Sequence, residues 1–323
     1  PRELPPARRR PGDCDCGWLE QVDPTTLQTL KRSADLPSGG HLWCGAVVAH
    51  KNGDLYMVNG CFCHRLTDDC EVIVERRLPF DGPYNGLLVL SDGNLIMKNL
   101  GDDSEPCLFS VLDPDTLHPV GEPLQIDEAA MGRISADKLE DGREYVYFTT
   151  ESTLRRLQYS EGVLRLDEGW GGSYNIEGED QSAGWDTTIA AGAIWMQDMG
   201  RPPGWQLPTW RLLAAAGLDA IGLTSLGRSS ARMATASQRA YRFDIADPSR
   251  RDVISSIDRP NAFNPGPPLY DPERQILVHY DTVNRKVHAH RYLHSNDGSG
   301  GRFELLWVCR YRNTVQMMLY VNN

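Results

Sequence analysis

Val22-Asp23-Pro24-Thr25-Thr26-Leu27 is answered ninety residues later by Leu112-Asp113-Pro114-Asp115-Thr116-Leu117. Between and beyond them, Leu66-Thr67-Asp68-Asp69-Cys70-Glu71 and Leu157-Gln158-Tyr159-Ser160 continue the series, with starts at 22, 66, 112 and 157. Each is followed by an apolar stretch, a Gly or Pro break, and a new run ending in a turn such as Asn52-Gly53-Asp54, Asp92-Gly93-Asn94 or Asp141-Gly142-Arg143. A period of roughly 45 residues built from short strands and tight turns predicts a β-propeller, with one four-stranded blade per repeat.

The blades are expected to open at His41-Leu42-Trp43-Cys44-Gly45, at Tyr84-Asn85-Gly86-Leu87, at Arg133-Ile134-Ser135 and at Gly184-Trp185-Asp186. Alignment on the turns brings Gly45, Asn85, Ile134 and, with a two-residue gap, Asp186 into register. A fifth blade follows from Ala240-Tyr241 through Gln275 to Tyr280 and Lys286 to Arg291, and Leu305-Leu306-Trp307-Val308 reads as the opening of a sixth. The expected fold is therefore all-β: a six-bladed propeller with an incomplete last blade, which a strand near Leu27 to Leu30 helps to close. Between the second and third strands of blade four, residues 200–233 break the rhythm. Pro202-Pro203 and Trp210-Arg211-Leu212-Leu213-Ala214-Ala215-Ala216 have more helical than strand character, which predicts a partly helical flap over the channel mouth or an irregular surface insertion. The domain reading is a flexible N-terminal arm over 1–20 and one propeller domain over 21–323.

Composition narrows the partners. A formal charge of -11 over 323 residues, with no basic face beyond Arg8-Arg9-Arg10, argues against a nucleic-acid partner. No run approaches the ~20 apolar residues of a spanning helix, so no transmembrane segment is expected. The Pro- and Arg-rich N-terminus does not read as a signal peptide, which favours the cytoplasm. Seven of the eight cysteines precede residue 108, and Cys14 with Cys16 and Cys61 with Cys63 form two Cys-x-Cys pairs. Buried or free thiols, disulfides and a thiolate metal site are all compatible with that spacing.

The starts of the innermost strands face the axis, so His41, Asn85, Arg133 and Asp186 are the expected polar ring of a small-molecule or metal site, flanked by Tyr84 and Trp185 as ligand contacts. The competing reading is that these groups hydrogen-bond loop backbone where blades meet. His288 and His290 share a strand face with His279 on the neighbouring strand, a second constellation that reads as structural. No nucleophile elbow, phosphate loop or HExxH helix is present.

Pro83-Tyr84-Asn85-Gly86-Leu87 with Ser91-Asp92-Gly93, and Trp185-Asp186 ending in Ile194-Trp195, resemble the blade openings of the six-bladed SMP-30, gluconolactonase and strictosidine-synthase-like propellers. The resemblance covers about a quarter of the chain. It implies a divalent cation in the channel, with Asn85 and Asp186 as ligands and Asp186 doubling as base. Where that family opens its first blade with a carboxylate, this chain has Gly39-Gly40-His41-Leu42-Trp43, so His41 replaces an oxygen ligand and the expected ion shifts from calcium toward zinc, or to no cofactor. The expected function is a small-molecule hydrolase or lactonase using Asp186, His41 and Arg133. The alternative is a non-catalytic propeller that binds a ligand or protein, and a lyase or quinoprotein-like propeller ranks third.

Overall fold

The second strand of each repeat shows why this sequence folds as stacked sheets. Leu95-Ile96-Met97-Lys98-Asn99, Glu144 to Thr149 and Ala193 to Asp198 are buried along their whole length, on both faces. A strand covered on both faces needs a sheet packed against each side, and successive side chains then serve alternate neighbours.

The computed structural model describes residues 16–41, 44–101, 106–174, 183–198, 239–254, 267–281, 286–295 and 300–310. Two short pairs come first: β1 (Cys16–Gly17) with β4 (Leu36–Pro37), and β2 (Glu20–Val22) with β3 (Thr29–Arg32). Among the described residues the first paired strand is at Cys16, inside the segment expected to be a flexible arm. Five antiparallel four-stranded sheets follow among the described residues, each in simple sequence order. Blade one is β5 (Cys44–Ala49), β6 (Leu55–Asn59), β7 (Phe62–Leu66) and β8 (Val72–Arg77). Blade two is β9 (Tyr84–Val89), β10 (Leu95–Asn99), β11 (Cys107–Leu112) and β12 (Leu124–Ile126). Blade three is β13 (Ser135–Lys138), β14 (Glu144–Thr149), β15 (Thr153–Ser160) and β16 (Val163–Ser173). Blade four is β17 (Gly184–Ala190), β18 (Ala193–Asp198), β19 (Ala240–Asp244) and β20 (Arg251–Ile254). Blade five is β21 (Leu269–Asp271), β22 (Ile276–Asp281), β23 (Lys286–His294) and β24 (Gly301–Arg310). The described residues contain no helix.

Among the described residues the hydrophobic core is mostly four inter-blade layers rather than one centre. Tyr56, Val58, Leu87 and Met97 fill the space between blades one and two, and Ile96, Phe109, Val146 and Phe148 the next. Tyr147, Trp170, Ile194 and Tyr241 join blades three and four. Trp195, Leu277 and Tyr292 join four and five. First strands also meet directly, β5 against β9, β13 against β17 and β17 against β21, so they line the axis.

One expectation is corrected. Leu305-Leu306-Trp307-Val308 does not open a sixth blade; it belongs to β24, the outer strand of blade five, paired along β23. Alternating apolar residues mark an outer strand and an inner one alike, so the pattern was read one position too late in the blade. The expected insertion over 200–233 falls between β18 and β19, second and third strands of blade four, and lies outside the described residues.

The repeat motif is a turn with a physical cause. In both Asp-Pro-x-Thr-Leu copies the Asp side chain accepts from two backbone N–H groups and the Thr hydroxyl: Asp23 from Thr25 and Thr26, Asp113 from Asp115 and Thr116. Leu27 and Leu117 then take the left-handed conformation, each with φ 57°.

Candidate functional site

Three of the five blade openings carry the same irregularity. The ladder between first and second strands slips between Cys44 and Ala46, between Lys98 and Asn99 opposite Asn85, and between Gly184 and Thr187. Gly45, Asn85 and Trp185-Asp186 are the extra residues, so the register inferred from the turns coincides with a repeated β-bulge. Bulges re-aim a side chain at the rim of a sheet. Here they turn Asn85 and Asp186 into the inter-blade space, where both are about 1% exposed.

The two residues sit in one buried polar chain. Asp186 Oδ1 accepts from the Arg133 backbone N–H at 2.6 Å. The Arg133 guanidinium, only half-buried, reaches over blade two and donates to Gly45 O at 3.1 Å. Asn85 donates through Nδ2 to Met131 O, and its Oδ1 accepts from Lys98 Nζ at 3.2 Å. Lys98, fully buried, also donates to Asn99 O at 2.8 Å. Asp186 Oδ2 is buried and has no hydrogen-bond donor. Burial raises the Asp186 pKa above the ordinary carboxylate value, against the pull of Arg133 and Lys98. Burial likewise lowers the Lys98 pKa, opposed by Cys107 and Asp186.

His41 does not join this group. The register equivalent of Asn85 in blade one is Gly45, and the innermost strands approach so closely there that a Cβ would collide with Tyr84 O. His41 lies four residues earlier, outside any strand, with Nε2 3.5 Å from Asp81 Oδ1. Tyr84, adjacent to Asn85, points to the opposite face: it packs between blades one and two, and its hydroxyl accepts from Phe80 N at 3.1 Å. The Trp185 ring is 3% exposed against Met131 and Ala183, with its Nε1 donating to nothing, while its carbonyl accepts from Thr149 Oγ1. The expected ring of four therefore resolves into Asn85, Arg133 and Asp186 linked through Lys98, with His41 elsewhere.

Calcium or zinc held by Asn85, Asp186 and His41 does not fit this arrangement. The one oxygen Asn85 can offer already faces an ammonium, and a second cation beside Lys98 would be repelled. His41 is with Asp81, not in the channel. Lys98 is the residue that sequence reasoning missed. In Met97-Lys98-Asn99 a lysine near the end of an apolar strand reads as a solvent-facing residue, and only the stacking of a further blade buries it.

Other polar groups at the same edge are structural. Asn59, Asn99, Thr149 and Asp198 end the second strands of blades one to four and are all buried. Each bonds backbone nearby: Asn59 to Leu36 O, Asn99 to Leu108 N, Thr149 to Trp185 O, Asp198 to Arg239 N. In blade five His279, His288 and His290 stack at 5.1 Å and 5.1 Å from His279, with planes within 19° of parallel. Cys61, Cys63, Cys70, Cys107 and Cys309 are free thiols, which removes a disulfide at the second Cys-x-Cys pair; Cys14 lies outside the described residues.

No family model matches the chain, and no curated protein matches it. Solved structures do. A functionally unknown protein from Desulfotomaculum acetoxidans aligns at TM-score 0.60 with 10% identity, over 94% of this chain and 80% of that one. Hydrazine synthase from Kuenenia stuttgartiensis aligns at 0.56 with 13% identity, over 84% and 69%. Hsv2 from Kluyveromyces lactis aligns at 0.52 with 12% identity, over 91% and 80%. At these identities the likeness is one of fold, and the neighbours include propeller-type proteins. This chain is an all-β protein of propeller architecture.

Proposed function

We propose that the protein is a small-molecule hydrolase of the lactonase kind, working at the mouth of the channel where the innermost strands begin. The observation that carries this reading is Asp186: a carboxylate fixed by one oxygen on Arg133 N, with its other oxygen buried and without a donor. Buried polar atoms are mostly satisfied, and a carboxylate oxygen left without a donor in the field of two cations is accounted for if it exchanges a proton with substrate or water. Asp186 Oδ2 takes a proton from the water that attacks the lactone carbonyl and returns it to the departing ring oxygen as the acyl C–O bond breaks, which yields the hydroxy acid. The Lys98 ammonium, close enough to bias Asp186 electrostatically, and the Arg133 guanidinium oppose the negative charge that grows on the substrate oxygen. Arg133 is the member of the set open to solvent, and substrate enters by taking the place of Gly45 O as its acceptor. The resemblance of the Asn85 and Asp186 segments to lactonase-type blade openings supports the same reaction class, without the metal.

The near-complete burial of Asn85, Lys98 and Asp186 favours one competing reading, a propeller that binds a ligand without turning it over. Initial rates on a panel of lactones and activated esters decide between them. Asp186→Asn preserves shape and removes the base, so it should lower kcat by roughly 10²- to 10⁴-fold. Because burial raises the Asp186 pKa, the wild-type rate should climb as pH rises through a value above the ordinary 3.8. A folded Asp186→Asn protein with unchanged turnover rejects the proposal, and ligand-induced thermal stabilisation without turnover selects the binding protein.

A further inference from the structure

A second set of groups, away from the Asp186 chain, collects where blade one meets the loop into blade two. Among the described residues, His41, Cys61 and Asp81 are the one trio of metal-ligating side chains whose donor atoms all lie within 4.8 Å of one another. They come from three separate segments. His41 precedes β5, Cys61 sits in the turn between β6 and β7, and Asp81 lies in the connection from β8 to β9.

We propose that His41, Cys61 and Asp81 form a zinc-type metal site with its fourth position open to solvent. The donor set is one thiol sulfur, one imidazole nitrogen and one carboxylate oxygen, a mixture that suits zinc and excludes calcium and magnesium, which take oxygen ligands. Metal–ligand distances near 2.0–2.3 Å place neighbouring tetrahedral ligands roughly 3.3–3.6 Å apart. His41 Nε2 and Asp81 Oδ1 already stand at 3.5 Å.

The sulfur is held in place by the backbone. Cys61 is fully buried, is a free thiol, and donates weakly to Ser38 O at 3.7 Å. Gly39, at φ +71°, passes so close to Cys61 Sγ that a Cβ there would occupy the space of the sulfur. The Gly39-Gly40 pair thus folds the chain over Cys61 and delivers His41 beside it. Arg77 is the competitor: it donates to Asp81 Oδ1 at 2.7 Å. Its side chain is half exposed and can turn away; burial raises the Cys61 pKa and the Arg77 charge only partly offsets that, so metal binding must displace the thiol proton.

Cobalt(II) titration of the full chain, reduced and under argon, tests the assignment. One equivalent should produce the visible bands of tetrahedral cobalt and a near-ultraviolet thiolate-to-cobalt charge-transfer band, both erased by zinc. Cys61→Ser should abolish the charge-transfer band. His41→Gln and Asp81→Asn should weaken binding by roughly 10- to 100-fold at the least, the scale that even outer partners of a metal carry. Cys309→Ser, an exposed thiol on β24, should change nothing. Should Cys61→Ser fail to fold, His41→Gln decides alone, because His41 is outside every strand and only half-buried. Absence of the charge-transfer band in the wild type, its persistence in Cys61→Ser, or undiminished affinity in His41→Gln overturns the site.

Discussion

Acidification should destabilise this protein, in large part through the histidines of blade five. His279, His288 and His290 are buried at the junction with blade four, 7%, 1% and 3% exposed. Their rings face one another, Phe303 and the Gln197 amide, which approaches His279 Nδ1 at 3.4 Å. The described contacts of His279 and His290 are imidazoles, an aromatic ring and an amide, none of which offsets a positive charge. Burial, with His288 beside it, depresses the His290 pKa from 6.5 to about 4, and His279 falls well below its ordinary value for the same reasons. A group whose folded-state pKa is depressed contributes stability that is complete above its unfolded value and is lost as pH falls toward the folded one. For His290 the window runs from 6.5 down to about 4. Between pH 7.5 and 4.5 it should cost roughly 2–3 kcal/mol, with His279 adding in the same direction. Against a total stability of about 5–15 kcal/mol that is a large fraction. Urea denaturation followed by tryptophan fluorescence at both pH values should show the midpoint falling by about 1 M, taking an m-value of roughly 2–3 kcal/mol/M. Asp186 works the other way, since its raised pKa means that acid relieves a buried charge, so the comparison that matters is with His290→Gln. That variant should lose its own share of the acid sensitivity, roughly 2–3 kcal/mol, while His279 and the buried His64, whose pKa burial also lowers to about 4, keep theirs, and its midpoint at pH 7.5 should change less. An identical pH dependence in wild type and His290→Gln, or a His290 ring that titrates by NMR near 6.5, refutes the reasoning.

Three further outcomes follow from the packing. Trp195 stacks on Tyr270 at 4.0 Å, meets Tyr292 edge-on and donates to Ala190 O, so Trp195→Ala should cost about 3–5 kcal/mol, read as a large fall in Tm. Glu144 ties blade three to blade two by accepting from Ser91 N and Ser91 Oγ, both at 2.8 Å. Glu144→Ala should cost roughly 1–3 kcal/mol by urea denaturation, while Ser91→Ala, which keeps the backbone bond, should cost less. Asp113→Ala removes three hydrogen bonds from an exposed turn, and its loss should be near 1 kcal/mol at neutral pH. Hydrogen bonds from Thr116 hold the Asp113 pKa below 3.8, so that contribution persists at neutral pH and disappears only as pH falls below the ordinary carboxylate range.

The architecture was legible because a propeller repeats its punctuation. Asp-Pro-x-Thr-Leu writes a side-chain-stabilised turn into the sequence, and the Asn-Gly and Asp-Gly turns mark where first strands become second strands. Outer strands were harder, because Leu305 to Val308 alternate in the same way whether they begin a blade or end one. The site was half legible. Turn alignment placed Asn85 and Asp186 at equivalent positions, and the bulges at both confirm that equivalence. His41 was drawn into the ring although its own alignment pointed to Gly45. Tyr84 was placed beside Asn85 by sequence adjacency, where strand geometry sends neighbours to opposite faces. Lys98 was invisible because burial of a second strand on both faces is a property of the stack and not of any one repeat.

If the proposed hydrolase reading holds, Lys98 also sets what kind of chemistry the site supports. A buried ammonium beside Asn85 and in the field of Asp186 supplies a fixed positive charge where the resembled propellers would hold a cation. It cannot polarise a ligand as strongly as a divalent ion, but it needs no loading and is insensitive to chelators. The same chain thus separates two roles that a metal site would combine. On the proposed reading, charge stabilisation is carried by a side chain of β10, and the metal-competent donors His41, Cys61 and Asp81 lie apart, beside blade one. Replacing Lys98 by Met keeps its length and removes its charge, leaving Asn85 Oδ1 without its donor and Asp186 with Arg133 as its remaining cation. If the ammonium is the internal counterion, Lys98→Met should raise the Asp186 pKa further, displacing the acid limb of any pH–rate profile upward. A profile that does not move would mean that Arg133 alone compensates Asp186.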